Sequence, residues 1–390
     1  MSLSRASTPA LLGLACFSFA LYGVSERSLT PVHAEAYKKK LEAVHLMQRA
    51  EETLAATKRA RSIAIDSRND PDKYGIIGPQ FSLITTDRGS QAAKVMAAHP
   101  NFAAAVTQMM LQGKVRDGDL VAVGMTGSLP GLNLAVLAAC QAIGAEPVII
   151  TSVGSSMFGA TDPELCWLDM EAVLASKNLW PYRSVAASLG GGGDVGRGLS
   201  PAGRQLLLDA VERNKAKLID PPTLLEAVHD RMAIYDSVAA ARGKRIAMYV
   251  NVGGGVASLG GAENARLIPS GLLKRLATRN YPNTGVINLF DQRRIPIIHL
   301  LQVERLARAY GISDLSAKPL APGKGLLFIK YKYNVWMVGG AALLVFLANL
   351  FVLRLDLRQQ LLGQPHPERT GAKDSASPLA QAPPERTPRQ

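Results

Sequence analysis

Nineteen consecutive uncharged residues, Val335 to Leu353 (VWMVGGAALLVFLANLFVL), constrain this chain more than any other feature. At 1.5 Å of rise per residue, a helix of that length crosses roughly 30 Å, the hydrocarbon thickness of a bilayer. Lys330 and Lys332 precede the run, Arg354 and Arg358 follow it, and Tyr331, Tyr333 and Trp336 gather at one edge. Basic flanks and an aromatic edge are what a membrane interface selects. A second apolar run, Pro9 to Val24, has no charge over sixteen residues and follows Arg5. That layout suits a signal peptide or an uncleaved signal anchor, and the anchor is preferred: the small-residue site Val32-His33-Ala34 lies well past the run. Cys16 sits inside the run behind Gly13-Leu14-Ala15, a poor fit to a lipobox, so lipidation is not expected.

Between these ends the chain is built to bury a core. It is 47% hydrophobic and 19% charged, with a mean hydropathy of +0.08, which excludes a disordered or fibrous protein. Three cysteines (Cys16, Cys140, Cys166) without paired spacing make neither a disulfide scaffold nor a zinc site. The net charge of +13 permits an anionic partner, such as nucleic acid, anionic lipid or an acidic polymer, without choosing among them. Basic residues flank the membrane ends on both sides, with a count that slightly favours a cytoplasmic central region, but the positive-inside rule weakens across a loop of about 300 residues, so charge does not settle the sidedness.

The organisation reads as a tail at 1–8, a membrane anchor at 9–25 and an amphipathic helical segment at 26–68. An α/β domain follows at 69–312, then a linker at 313–333, a transmembrane helix at 334–354 and a disordered tail at 355–390. In the helical segment, Tyr37, Leu41, Val44, Met47 and Leu54 fall on one helix face, as in a stalk or in a helix docked on the domain. Asn69-Asp70-Pro71-Asp72 forms a turn before the domain. Continuous apolar runs at 120–124, 147–151, 183–188 and 245–252, with a weaker one at 286–289, predict strands buried on both faces. Helical patterns occupy 131–143, 164–177, 201–217, 222–241 and 256–277. The alternation predicts an α/β fold, a mostly parallel sheet with helices on both faces in the Rossmann-like manner, flanked by terminal transmembrane helices.

Glycine is concentrated after four of the strands, where open parallel sheets place their ligands. The segments are Gly124-Met125-Thr126-Gly127-Ser128, Thr151-Ser152-Val153-Gly154-Ser155-Ser156, Gly190 to Gly193 with Asp194 and Arg197, and Asn251-Val252-Gly253-Gly254-Gly255 leading to Ser258. Glycine lets backbone N–H groups approach a ligand, and a following helix N-terminus adds partial positive charge, so such loops suit an anion; each alone also fits a plain strand-to-helix turn. Candidate ligand-binding residues are Gly124, Thr126, Gly127, Ser128, Ser155, Ser156, Gly193, Asp194, Arg197, Asn251, Gly254 and Ser258, with Asp87 and Arg88 from the TTDRGS segment. Gly191, Gly193 and Gly196 match G-x-G-x-x-G but lack a well-placed acid about twenty positions on, and there is no Walker motif, G-x-S-x-G elbow or H-E-x-x-H. The six histidines (His33, His45, His99, His229, His299, His366) are scattered. No cofactor and no metal are expected, and catalytic residues are not assigned.

In VGMTGSLPGLNLAV (123–136), ITSVGSSMFGATDPE (150–164), GGGGDVGRGLS (190–200) and YVNVGGGVASLG (249–260), the chain resembles the poly-gamma-glutamate system protein family, over roughly residues 10–355. The resemblance implies a bacterial cytoplasmic (inner) membrane protein with its central domain outside the cytoplasm. It would act in synthesis, export or anchoring of poly-gamma-glutamate, with the bilayer and either the polymer or its membrane-bound synthase as partners and no nucleic acid. It transfers no established catalytic residue. Gly124 to Ser128, with Gly144 to Thr151, also has a looser likeness to phosphosugar-binding sugar-isomerase domains, at the level of fold. The expected role is binding of the polymer or its glutamate units at the glycine loops. The alternatives are a gamma-amide hydrolase or transferase using Ser128, Ser155 or Ser258 as nucleophile, and a phosphosugar-binding domain.

Overall fold

A computed structural model describes residues 8–312 and 320–362. Residues 1–7, 313–319 and 363–390, which include most of the expected N-terminal tail, part of the linker and most of the C-terminal tail, lie outside the described residues. In chain order the elements are α1 (Thr8–Glu26), β1 (Thr30–His33), α2 (Tyr37–Ala60), β2 (Thr85–Asp87), α3 (Gln91–Ala97), α4 (Asn101–Gln112), β3 (Leu120–Thr126), α5 (Pro130–Ile143), β4 (Glu146–Ser152) and β5 (Ser155–Ser156). They continue with α6 (Trp167–Ser176), β6 (Ser184–Ser188), α7 (Pro201–Arg213), β7 (Lys217–Leu218), α8 (Leu224–Ala241), β8 (Ile246–Val252), α9 (Val256–Leu259) and α10 (Ala262–Leu267). The last are β9 (Gly271–Leu273), α11 (Val286–Gln292), β10 (Ile297–Leu300), α12 (Val303–Ala309), β11 (Ile329–Lys332) and α13 (Val335–Leu362).

The chain divides into a central unit, Pro31–Lys330, and a unit formed by the terminal segments. In the terminal unit, α1 and α13 pack on each other. Both are long and apolar enough to cross a membrane, over Thr8–Glu26 and Val335–Arg354. Almost none of their residues is buried by protein: Phe19, Trp336, Phe346 and Phe351 are exposed. Side chains of that kind need lipid or another protein to cover them. Helix α13 runs on to Leu362, eight residues into the segment expected as a tail.

The central unit is built on a seven-stranded sheet of order β7-β6-β4-β3-β8-β10-β9, parallel throughout except for β9 against β10. The continuous apolar runs follow from burial of both faces. In β3, Val121, Val123 and Met125 enter a core shared with α2, α4 and α5, while Leu120 and Ala122 enter the opposite core with α8 and α11. The same alternation recurs in β8, where Met248 and Val250 face one core and Tyr249 the other. Helix α2 belongs to this unit: Val44, Met47 and Leu54 are fully buried, and it packs on α4, α5 and α6. The periodic segment is therefore a docked helix rather than a free stalk.

Two expected elements differ. The run expected as a strand at 286–289 is helix α11; Gly285 opens it, and the Asn288 side chain accepts from the Gly285 N–H at 2.9 Å, a side-chain cap that favours helix. The strand next to β8 is β10 instead, eleven residues further on. The helix expected over 256–277 is broken into α9 and α10 at Gly260 and Gly261, both at positive φ (84° and 144°), and the chain then enters β9.

Candidate functional site

Strand order decides where the site lies. From β3 the chain builds outward on one side through β4, β6 and β7, then returns to place β8 on the other side of β3, with β9 at the edge and β10 inserted between them, so the order reverses between β3 and β8. Loops leaving the carboxyl ends of adjacent strands diverge at such a point and open a crevice. A cavity of about 430 Å³ occupies it, within the range of small-ligand sites.

Its walls are the expected glycine loops together with the β2–α3 segment. Strand β2 is brought in by β5: Asp87 pairs in register with Ser156, and the Met157 N–H donates to the Asp87 carbonyl at 3.0 Å. Asp87 and Arg88 are thereby held, exposed, at the rim. Gly253, at φ 88°, turns the β8–α9 loop under Thr126; a Cβ there would stand 2.3 Å from the Thr126 Oγ1. Gly254 is open, with nothing nearer a Cβ than Leu301 at 3.8 Å, so its backbone is accessible to a ligand.

Lys94 joins Arg88 in the cavity lining, while Arg231 lies behind it. Lys94 of α3 is buried, and its Nζ donates to the Ser128 carbonyl and to Ser156 Oγ at 2.8 Å. Among the described residues no carboxylate pairs with it, and burial pulls its pKa down to about 8. The Ser156 N–H donates to Ser128 Oγ at 3.0 Å, which joins the loops after β3 and β4 around this lysine. Arg231 of α8 is outside the lining and holds two residues of the cavity floor, Ser152 and Asp194. Its Nη2 contacts Asp194 at 2.7 Å, Ser188 at 2.7 Å and Ser152 at 3.0 Å, while Ser152 Oγ donates to Asp194 Oδ1 at 2.8 Å. Arg231 and Asp194 are each 1% exposed, so the floor is a buried ion pair that pins the 190–198 loop to the strand ends.

Of the expected residues, Asp87, Arg88, Thr126, Ser128, Ser156, Asp194 and Gly254 line the cavity together. Gly124, Gly127, Ser155, Gly193, Arg197, Asn251 and Ser258 lie outside its lining, each for a packing reason. Gly124 makes room for the Tyr249 hydroxyl, which bonds Ser258 Oγ at 3.0 Å; a Cβ at 124 would fall 2.6 Å from that hydroxyl. Gly127 passes close under Val153, and its carbonyl accepts from the buried Ser155 Oγ at 3.0 Å. Asn251 is fully buried, donating to the Gly253 carbonyl and to His299 Nδ1, both at 2.9 Å. Burial lowers the His299 pKa to about 4, so that ring is neutral near pH 7. Gly193 and Arg197 lie in the 190–198 loop, where Gly192 and Arg197 bridge and Arg197 is exposed.

Sequence reasoning missed Lys94, Ser152 and Arg231. Lys94 lies in QAAKVMAA, where apolar neighbours on both sides hint at burial; nothing near Arg231 in VHDRMAIY distinguishes it from a solvated helix residue. Among the described residues no group of His, Cys, Asp and Glu is arranged to hold a metal. No family model, curated protein or solved structure matches the chain.

Proposed function

We propose that the chain is a two-pass protein of the bacterial cytoplasmic membrane whose central domain lies outside the cytoplasm and binds poly-gamma-glutamate through the cavity where the strand order reverses. In this reading it serves synthesis or export of the polymer, alongside the membrane-bound synthase. The loop motifs that resemble the poly-gamma-glutamate system proteins support it, as do the two bare apolar helices. The observation that carries it is chemical. Lys94 and Arg88, the Gly254 backbone and the Ser128 and Ser156 hydroxyls converge on one cavity, and among the described residues no carboxylate pairs with Lys94. A carboxylate-bearing chain satisfies such a donor set, because charge-assisted hydrogen bonds to carboxylate are the strong ones.

The test uses the full chain in detergent micelles and fluorescent poly-gamma-glutamate. Anisotropy should report binding that weakens as salt rises and falls about tenfold with Arg88→Ala, the loss expected for one hydrogen bond to a charged group. Absent or salt-insensitive binding would sink the proposal.

A further inference from the structure

The geometry points to Ser156 as an acyl-accepting nucleophile, with Lys94 as the base that takes its proton, making the cavity the site of a hydrolase or transferase acting on gamma-glutamyl amides. The inference rests on the carboxylate-binding reading of the same cavity.

Four observations converge. Ser156 Oγ lies 2.8 Å from Lys94 Nζ, the distance at which a serine hydrogen-bonds its base. The lysine's second bond, to the Ser128 carbonyl, uses an N–H that the neutral amine retains, so the amine form keeps its place. Burial without a counter-charge favours that amine form, as a lysine base requires. Of the other candidate serines, Ser155 Oγ donates to carbonyls, Ser258 is paired with Tyr249 outside the cavity, and Ser128 Oγ accepts from the Ser156 N–H while Lys94 Nζ bonds its carbonyl rather than its hydroxyl. Ser156, half-buried on the cavity wall, is open to a substrate.

The register also places a cation on the rim beside Ser156. Asp87 is opposite Ser156, which places Arg88 one residue further along the same rim. In a gamma-linked glutamate chain each amide carries a free carboxylate on a neighbouring carbon, and Arg88 is placed to hold it while the amide carbonyl meets Ser156. The Ser156 O–H proton passes to Lys94 Nζ as Oγ bonds the carbonyl carbon. The C–N bond then breaks and the leaving amine takes that proton. Water, or the amine of an acceptor, attacks the resulting ester, gives its proton to Nζ, and Ser156 Oγ recovers it on release.

A fluorophosphonate probe tests the dyad without the polymer. On the full chain in micelles, labelling should map by peptide mass spectrometry to Ser156. Its rate should rise about tenfold from pH 7 to pH 9 as Lys94 loses its proton, given a pKa of about 8. Lys94→Met, which removes a buried charge, and Lys94→Arg, which keeps it, should each slow labelling by at least about 100-fold while the protein stays folded by circular dichroism. No labelling of the wild type, label on Ser128 or Ser152, or full-rate labelling of Lys94→Arg would overturn the inference. Labelling without polymer binding would retain the dyad and reject the polymer; polymer binding without labelling would do the reverse.

Discussion

Replacing Asp194 by Asn isolates the charge at the cavity floor. Asparagine has nearly the same volume and tolerates the left-handed backbone that Asp194 adopts at φ 68°, so neither packing nor backbone is disturbed. What changes is Arg231. Its guanidinium is 1% exposed, its Nε already lacks a partner, and its one ionic contact is the Asp194 carboxylate at 2.7 Å. Removing one member of a buried pair costs about 3–5 kcal/mol, because the other charge remains without water or counter-ion. At about 2–4 °C per kcal/mol for a large domain, the midpoint of thermal unfolding should fall by about 10 °C. The assay is thermal unfolding of the full chain in micelles, followed by fluorescence of the buried Trp167 and Trp180. The double variant Arg231→Met with Asp194→Asn, which leaves no unpaired charge, should recover most of the loss. A single variant that melts within about 2 °C of the wild type would refute the reasoning, since that size of change fits a solvated pair.

Other outcomes follow from the same structure. Lys94→Met should raise stability at pH 7, because a lysine whose pKa drops from 10.5 to about 8 on folding costs about 3 kcal/mol while charged; in the wild type that cost is relieved as pH rises from about 8 to 10.5, and denaturant titrations across that window should show the dependence vanish in the variant. Glu171 is buried beneath the sheet, where desolvation outweighs the bonds from Trp167 and Ser184 and raises its pKa to about 7. Its protonated form is the one the fold prefers, so stability should decline as pH rises from about 4.5 to 7, and Glu171→Gln should abolish that slope. Gly253→Ala should destabilise the chain by about 2 kcal/mol and weaken polymer binding, since its positive φ and the nearby Thr126 hydroxyl both oppose a Cβ. Arg197→Ala should weaken binding less than Arg88→Ala, because Arg197 is exposed outside the cavity lining. Alkaline phosphatase fused after residue 60 should be active if the central domain lies outside the cytoplasm; an inactive fusion would reverse the sidedness.

The architecture was legible where chemistry is local. Apolar runs of strand length alternating with helical periodicity mark a two-faced parallel sheet, and glycine after a strand marks a loop close to other backbone. Which glycines face the cavity was not legible. Gly124 and Gly254 look alike in sequence, yet one makes room for Tyr249 and the other opens on the cavity, because the neighbouring strand sets what lies above each. The two short apolar runs VINL and IIHL are equally strand-like; the glycine and asparagine capping the first make it a helix, while the second extends beside β8. Lys94 and Arg231 escaped because a basic residue in a helix is ordinarily solvated; the packing of α3 on α5 and α12 and on the loops after β3 and β4 buries the first, and the docking of α8 on the sheet buries the second.

The most direct measurement is photocrosslinking of the full chain in micelles with a gamma-glutamyl oligomer bearing a diazirine, followed by peptide mapping. The account predicts crosslinks confined to segments 86–94, 126–129, 154–156 and 253–256, and competed away by unlabelled polymer. Crosslinks concentrated on the exposed face of α2 or spread over the surface, with these segments bare, would contradict it.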